Sequence, residues 1–172
     1  MKTILFGNWV PESYRAPFLA KVVEVCEKLA IEPDWLMLTM RIETAGTFSP
    51  EIQNAKSMAT GLIQFMPTTA KALGTSIEAL AQMSAVEQLE WVYRYLKPYA
   101  GKMHSYEDVY LAVFFPAAIG KPNDYVLQTK TLSAQKIASW NPLYDINKDG
   151  VIQKKEIRTK LLSFLPKDYT LQ

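Results

Sequence analysis

Residues 35–42 read Trp-Leu-Met-Leu-Thr-Met-Arg-Ile, and Glu43 closes the run. Pro33-Asp34 supplies a helix start, since proline suits the first turn and aspartate favours the positive helix end. A helix that is apolar on nearly every side must be buried, so this segment has to run through the centre of a domain built around it. Leu36, Met40 and Glu43 fall at i, i+4 and i+7, on one face, which puts a carboxyl at the inner end of a buried helix. Gly46 is the expected C-terminal stop. Residues 47–60 follow as a polar loop containing Thr47, Ser49, Pro50, Gln53, Asn54, Ser57 and Thr60. A loop of that length without structure of its own is uncommon unless it has a function. The chain then turns through Gly61-Leu62-Ile63-Gln64-Phe65-Met66 and enters a helix at Pro67 that stops at Gly74.

The remaining segments also predict helices. Phe18, Leu19, Val22, Val23, Val25, Cys26 and Leu29 recur at helical spacing after Pro17, and residues 1–16 read as an extended arm. Ser76 caps a short helix through Met83. Ser84 with Glu87, and Ser105 with Asp108, have capping-box spacing and open helices carrying Leu89, Val92 and Leu96, and Val109, Leu111 and Val113. Pro116 ends the second of these. A short helix is expected over 133–139, halted by Asn141-Pro142. With no sustained period-two alternation, the fold class is all-α. The expected division is a helical domain over 1–140 and a small appendage over 141–172.

Composition narrows the function classes. Of 172 residues 49% are hydrophobic, enough for a real core, and the net charge of +2 carries no long basic run, so nucleic acid is not an expected partner. One cysteine, Cys26, precludes an internal disulfide and reads as a buried small hydrophobe. With His104 the only histidine, a zinc site is not expected. No stretch approaches the roughly 20 apolar residues of a membrane span, and the short apolar run near the N-terminus is below the length of a signal-peptide core. Synthesis in the cytoplasm as a soluble monomer is the expectation.

Glu43 is the candidate catalytic group. Glycosidic bond cleavage needs an acid that is still protonated near neutral pH, and burial among apolar groups raises a carboxyl pKa. Between Thr44 and Ile77 the only other acid is Glu51. Most glycosidases use two carboxylates across the bond, whereas this segment offers one and a weak second.

The tail carries a separate signature. Residues 145–156 fit the 12-residue calcium loop. Asp145, Asn147 and Asp149 supply oxygens at positions 1, 3 and 5. Gly150 makes the turn at 6, Val151 offers its carbonyl at 7, and Glu156 closes the site at 12. Ile152, at position 8, is expected in the core, and Ile157, Leu161, Leu162 and Leu165 follow on an exiting helix. A single structural Ca2+ ion that pins the tail is the expectation.

Glu43-Thr44, Phe48-Ser49-Pro50, Ser57 and the run from Gly61 to Ala70 together resemble the soluble lytic transglycosylase, goose-type-lysozyme-like family. The resemblance covers roughly residues 18–120 and is strongest over 41–74. It implies a lysozyme-like α fold and cleavage of the β-1,4 bond between N-acetylmuramic acid and N-acetylglucosamine in peptidoglycan. It implies further that Glu43 acts as acid and then as base, giving 1,6-anhydromuropeptides without a second carboxylate. Thr44, Ser57, Ile63 (through its backbone), Gln64 and Met66 would then contact substrate. The family's Ala-Tyr-Asn-Ala-Gly motif is missing; residues 112–120 read Ala-Val-Phe-Phe-Pro-Ala-Ala-Ile-Gly instead. The tyrosine that supports the acid in relatives is therefore displaced, with Tyr110, Tyr125 and Tyr144 as alternatives, and Tyr110 and Tyr125 as added substrate contacts. The run Phe-Phe-Pro-Ala-Ala-Ile-Gly-Lys-Pro resembles variants from phage tail and lysis proteins, which implies delivery to the wall in a virion or release at lysis. Two other readings compete: a hydrolytic muramidase using Glu51 or Asp124 to position water, and a calcium-dependent wall-binding or tail protein with an inactive cleft.

Overall fold

The structure, a computed structural model, describes residues 3–169. It is mainly helical. The α-helices are α1 (Arg15–Leu29), α2 (Pro33–Glu43), α3 (Pro67–Ala72), α4 (Ile77–Gln82), α5 (Ala85–Leu96), α6 (Tyr106–Phe114), α7 (Ala134–Trp140) and α8 (Lys154–Leu162). Extended pairing among the described residues is confined to isolated bridges. The chain divides into two compact units, Met1–Gly101 and Lys102–Gln172.

In the first unit α2 is the central element. Leu36, Met37, Leu38 and Met40 are almost completely removed from solvent. α1 packs on both α2 and α5 and contributes Phe18, Val22, Val25 and Leu29 to the same core. The Ser84 capping box forms as expected, with the Ser84 hydroxyl accepting from the Glu87 amide and the Glu87 carboxylate accepting from the Ser84 amide.

Over its described residues, 3–16, the N-terminal arm is not extended. Phe6 takes a left-handed φ of 58° and residues Gly7–Trp9 form a 3-10 turn that buries Leu5, Phe6 and Val10. Two polar anchors fold it down. The Leu5 amide donates to the buried Asp34 carboxylate at 2.8 Å, and the Arg15 guanidinium donates to the Val10 and Asn8 carbonyls. Asp34, read from sequence as a helix-start residue, is spent on the arm.

Residues 47–60 are ordered without being helical. Gln53, Thr60 and Phe65 form consecutive antiparallel bridges, so the loop is folded back on itself and onto the turn after Gly61. The side chain that fixes this hairpin-like stack is Gln88, fully buried on α5. Its Oε1 accepts the Leu62 amide at 2.7 Å, and its Nε2 donates to the carbonyls of Pro50 and Leu80, both at 2.9 Å. The loop, the turn and α4 therefore share one amide. Gly61 has φ +84°, and a Cβ there would lie 2.2 Å from Gln88 Oε1. Only glycine permits this approach.

The second unit holds α6, α7 and α8. Nearly all of α6 is buried, including Glu107 and Asp108 at its start. The Ser105 hydroxyl accepts from the Asp108 amide, but the reciprocal bond of a capping box does not form. The Asp108 carboxylate turns instead to the His104 amide at 3.1 Å and to Lys154 Nζ at 3.1 Å. Residues 123–127 run against residues 152–155, with bonds from Leu127 N to Ile152 O and from Lys154 N to Tyr125 O. The expected division at 140/141 falls inside the second unit, where Leu127 and Ile152, both buried, are bonded across it.

Replacing Gln88 by leucine keeps the volume but leaves one amide and two carbonyls without their buried partner. The expected cost is about 2–4 kcal/mol, read as a fall in Tm of roughly 10 °C or more for a unit of this size. A Gln88→Leu protein that melts with the unsubstituted one would show that the loop is held by other means.

Candidate functional site

Glu43 is the last residue of α2. Its position follows from the sequence: the apolar run buries the helix, and Glu43 ends it half-buried. The chain reverses at once, with Thr44 as C-cap, Ala45 at φ 50° and Gly46 at φ 83°. The Gly46 amide closes on the Arg41 carbonyl at 2.8 Å. Removal from water pushes the Glu43 carboxyl up from 4.5 to about 7. The C-terminal end of a helix also offers no positive field to offset this. The result is a carboxylic acid that still carries its proton close to neutrality.

Thr44 does not face a ligand. It is fully buried, its hydroxyl donates to the Met40 carbonyl at 2.7 Å, and it accepts from the Phe48 amide at 3.0 Å. These two bonds lock the exit of α2. Ser57 is half-buried and shapes the loop: its amide donates to Asn54 Oδ1, and its hydroxyl accepts from the Ala59 amide. The Ile63 side chain is buried at 2% exposure, which leaves only its backbone for a ligand. Gln64 stands at a left-handed φ of 53° with its Nε2 donating to the Ile52 and Gly61 carbonyls. Both bonds are made by the amide nitrogen. Met66, capping α3, is exposed at 45%.

Tyr95 was not selected by the sequence argument, yet it belongs to this site. It lies on α5, about two turns of helix beyond Gln88, and its ring meets Phe65 edge to face at 6.1 Å. Burial foremost, then Tyr99, then the charge of Glu43 push its hydroxyl up to about 12. A neutral phenol is thus kept within electrostatic reach of Glu43. From sequence it is one of three tyrosines in Tyr-Arg-Tyr-Leu-Lys-Pro-Tyr, with nothing to distinguish it. Glu51, the other acid of this segment, is exposed.

Tyr110 and Tyr125 belong to the second unit. Tyr110 is buried, its hydroxyl hydrogen-bonds that of Tyr144, and both rings gather with Phe114. Tyr125 is half-buried with Lys121 over its ring.

Residues 145–156 in the second unit form a curled loop that runs into the first turn of α8. The Asp145 carboxylate accepts the Asp149 and Gly150 amides, both at 3.1 Å, and Asn147 Oδ1 accepts the Asp149 amide at 3.0 Å. Glu156 reaches back across the loop to the Ile146 and Asn147 amides while its other oxygen accepts from Gln153. Gly150 has φ +85°. Among the described residues no group of three His, Cys, Asp or Glu side chains is gathered to hold a metal. The donor chemistry of Asp145, Asn147, Asp149, the Val151 carbonyl and Glu156 is nonetheless all hard oxygen, on a loop already turned so that its first and last carboxylates bind its own backbone.

No protein-family model matches the chain, and no curated protein matches it either.

The raised carboxyl has a consequence for stability. Over about pH 4.5–7 the native state holds a proton on Glu43 that the unfolded chain has released. Stability from this group is complete below that window, falls as pH rises through it, and is level above. Glu43→Gln removes the dependence. The variant should match the unsubstituted protein near pH 4 and exceed it by about 1–3 kcal/mol at pH 8, by denaturant titration at both values. An equal gap at the two pH values would mean that Glu43 ionises as an ordinary surface acid.

Proposed function

We propose that the chain is a peptidoglycan lytic transglycosylase in which Glu43 is the sole acid/base. The observation that supports this most directly is a desolvated carboxyl at the end of a buried helix, with Glu51, the only other acid of its segment, exposed to solvent. The order of Glu43, the polar loop and the Gly61 turn, which resembles the transglycosylase arrangement, supports the same reading.

The chemistry requires one group in two states. The Glu43 carboxyl gives its proton to the glycosidic oxygen as the bond from the muramic C1 breaks. The carboxylate so formed takes the proton of the muramic C6 hydroxyl, and O6 closes on C1. The product is a 1,6-anhydro end, no water is consumed, and Glu43 finishes protonated. An acid at about 7 suits both directions of transfer at neutral pH. A phenol close to the carboxylate, as at Tyr95, would orient it and donate to its ionised form. The Gln64 carbonyl end would meet a sugar hydroxyl or acetamido N–H, and Met66 would cover an apolar sugar face.

Residues 145–156 are proposed as a Ca2+ site held by Asp145, Asn147, Asp149, Val151 and Glu156. The ion would supply charge neutralisation among three carboxylates and hold the loop. In the second unit this loop is paired with residues 123–127 rather than with a second loop of its own kind, which suits a structural ion better than a sensor.

Purified peptidoglycan sacculi digested with the protein should release anhydromuropeptides by mass spectrometry, and Glu43→Gln should lower the rate by about 100-fold or more. Products with reducing ends would identify a hydrolase instead. No release at all would favour a binding protein, and equal activity in Glu43→Gln would remove Glu43 from the chemistry.

For the metal, CaCl2 in excess over its Kd should raise Tm relative to chelator, with a stabilisation of about 2–3 kcal/mol at a hundredfold excess. Asp145→Asn with Glu156→Gln should abolish that difference. Identical melting curves with calcium and with chelator would reject the site.

A further inference from the structure

Among the described residues the large hydrophobic side chains exposed in the first unit are Trp9 at 51%, Met58 at 42% and Met66 at 45%. Met58 belongs to the loop after Glu43, and Met66 to the turn that follows. Trp9 comes from the N-terminal arm, which the sequence does not connect to the site at all. Its ring nevertheless lies against Gly46, three residues beyond Glu43: a Cβ on Gly46 would sit 2.8 Å from Trp9 Cζ3 and 2.9 Å from Cε3. The reversal of chain at the end of α2 is therefore also the seat of an indole.

The ring is held on several sides and left open on another. Phe6 meets it edge to face at 5.3 Å, and the Arg41 guanidinium stands 5.4 Å from its centroid. The backbone beneath is pinned by the bond from Trp9 N to Phe6 O and by Arg15 on the carbonyls to either side of Trp9. Covering Gly46 alone would need only a small apolar group, and burial would then be complete. A large flat ring, fixed in orientation and half in water, has surface left over. Rigid aromatic rings of this kind provide contact area with little entropy to lose on binding. The flat C–H face of a pyranose is the complement of such a surface, and a glycan chain passing Glu43 presents one at each residue.

We propose that Trp9 is a glycan-stacking residue, seated against Gly46 at the end of the helix that carries Glu43, and that it receives the apolar face of an amino-sugar ring next to the cleaved bond. The proposal rests on the glycan-cleaving reading of Glu43. Trp9 touches substrate away from the reacting atoms, so its contribution is to binding that is shared by ground and transition states. Such binding appears in KM rather than kcat.

The test uses Trp9→Leu, which keeps an apolar cover on Gly46 without a flat face, and Trp9→Tyr, which keeps the face. On solubilised peptidoglycan, Trp9→Leu should raise KM about tenfold with kcat within about threefold, and Trp9→Tyr should recover most of the loss. In the Glu43→Gln background, tetra-N-acetylchitotetraose should bind and perturb tryptophan fluorescence, and adding Trp9→Leu should weaken its Kd by about the same factor. The same oligosaccharide should shield Trp9 of Glu43→Gln from N-bromosuccinimide oxidation, located by peptide mapping, a readout that needs no substitution of Trp9. Unchanged KM, Kd and oxidation would overturn the stacking role while leaving the transglycosylase reading intact. Loss in Trp9→Tyr as large as in Trp9→Leu, with lowered Tm in both and no shielding, would reduce Trp9 to a structural cap. Binding and shielding without any cleavage would uphold Trp9 and overturn the catalytic reading. Neither binding nor cleavage would overturn both.

Discussion

The amide of Gln88 is the interaction on which the geometry around Glu43 depends. A buried primary amide is expensive unless every donor and acceptor is used, and Gln88 spends its oxygen on Leu62 and its nitrogen on Pro50 and Leu80. Those three partners lie in a loop, a turn and a neighbouring helix, whose Leu62, Ile63, Phe65 and Leu80 side chains are all buried in the core. Hydrophobic burial could bring them near α5 but could not set their register. A directional group can, and Gly61 lets the backbone come close enough to reach it. The loop and turn that follow Glu43 in the chain are thereby tied to the core through one side chain.

The same economy explains the state of Glu43. α2 is buried because its residues leave it no polar face, and the cost falls on whichever group ends the helix. Thr44 absorbs part of it by satisfying the Met40 carbonyl and the Phe48 amide internally. Glu43 absorbs the rest by holding its proton to about 7. Ionisation there is disfavoured relative to an exposed glutamate, so the neutral and charged forms of Glu43 are both accessible near neutral pH. Tyr95 feels that charge, being a phenol whose own ionisation is suppressed by burial first, then by Tyr99 and by Glu43.

Much of this was legible in the sequence, and the limits are physical. The positions of α1 to α8 follow from apolar periodicity and from Ser and Pro starts, because those signals are local. Glu43 at the end of a buried helix also follows, since helical spacing fixes which face a residue shares. Gln88 was invisible because it sits between Glu87 and Leu89 on an amphipathic helix, where a glutamine ordinarily faces solvent; only the arrival of Leu62, Pro50 and Leu80 makes it a core residue. Trp9 and the folded arm were missed for a similar reason: Asp34 and Arg15 act at a distance in sequence, on Leu5 and on carbonyls that carry no signature. Ser105-Asp108 shows the converse failure. The spacing is that of a capping box, but a lysine 46 residues away outcompetes the local amide for the carboxylate.

That lysine also decides how the tail is built. Lys154 and Asp108 are both nearly inaccessible, at 6% and 5% exposure, and a buried charge without its partner is far more costly than either residue in water. Lys154 opens α8 directly inside the 145–156 loop, whose Ile152 is in turn buried and bonded to residue 127. The loop cannot shift its closing residues without exposing Ile152 and stranding Asp108 at the start of α6. A segment that looks in sequence like a detachable ion-binding appendage is therefore fastened at three points to the helix and extended chain before it. Whatever the loop binds acts on a structure in which its own last turn is already tied to α6 and to residues 123–127.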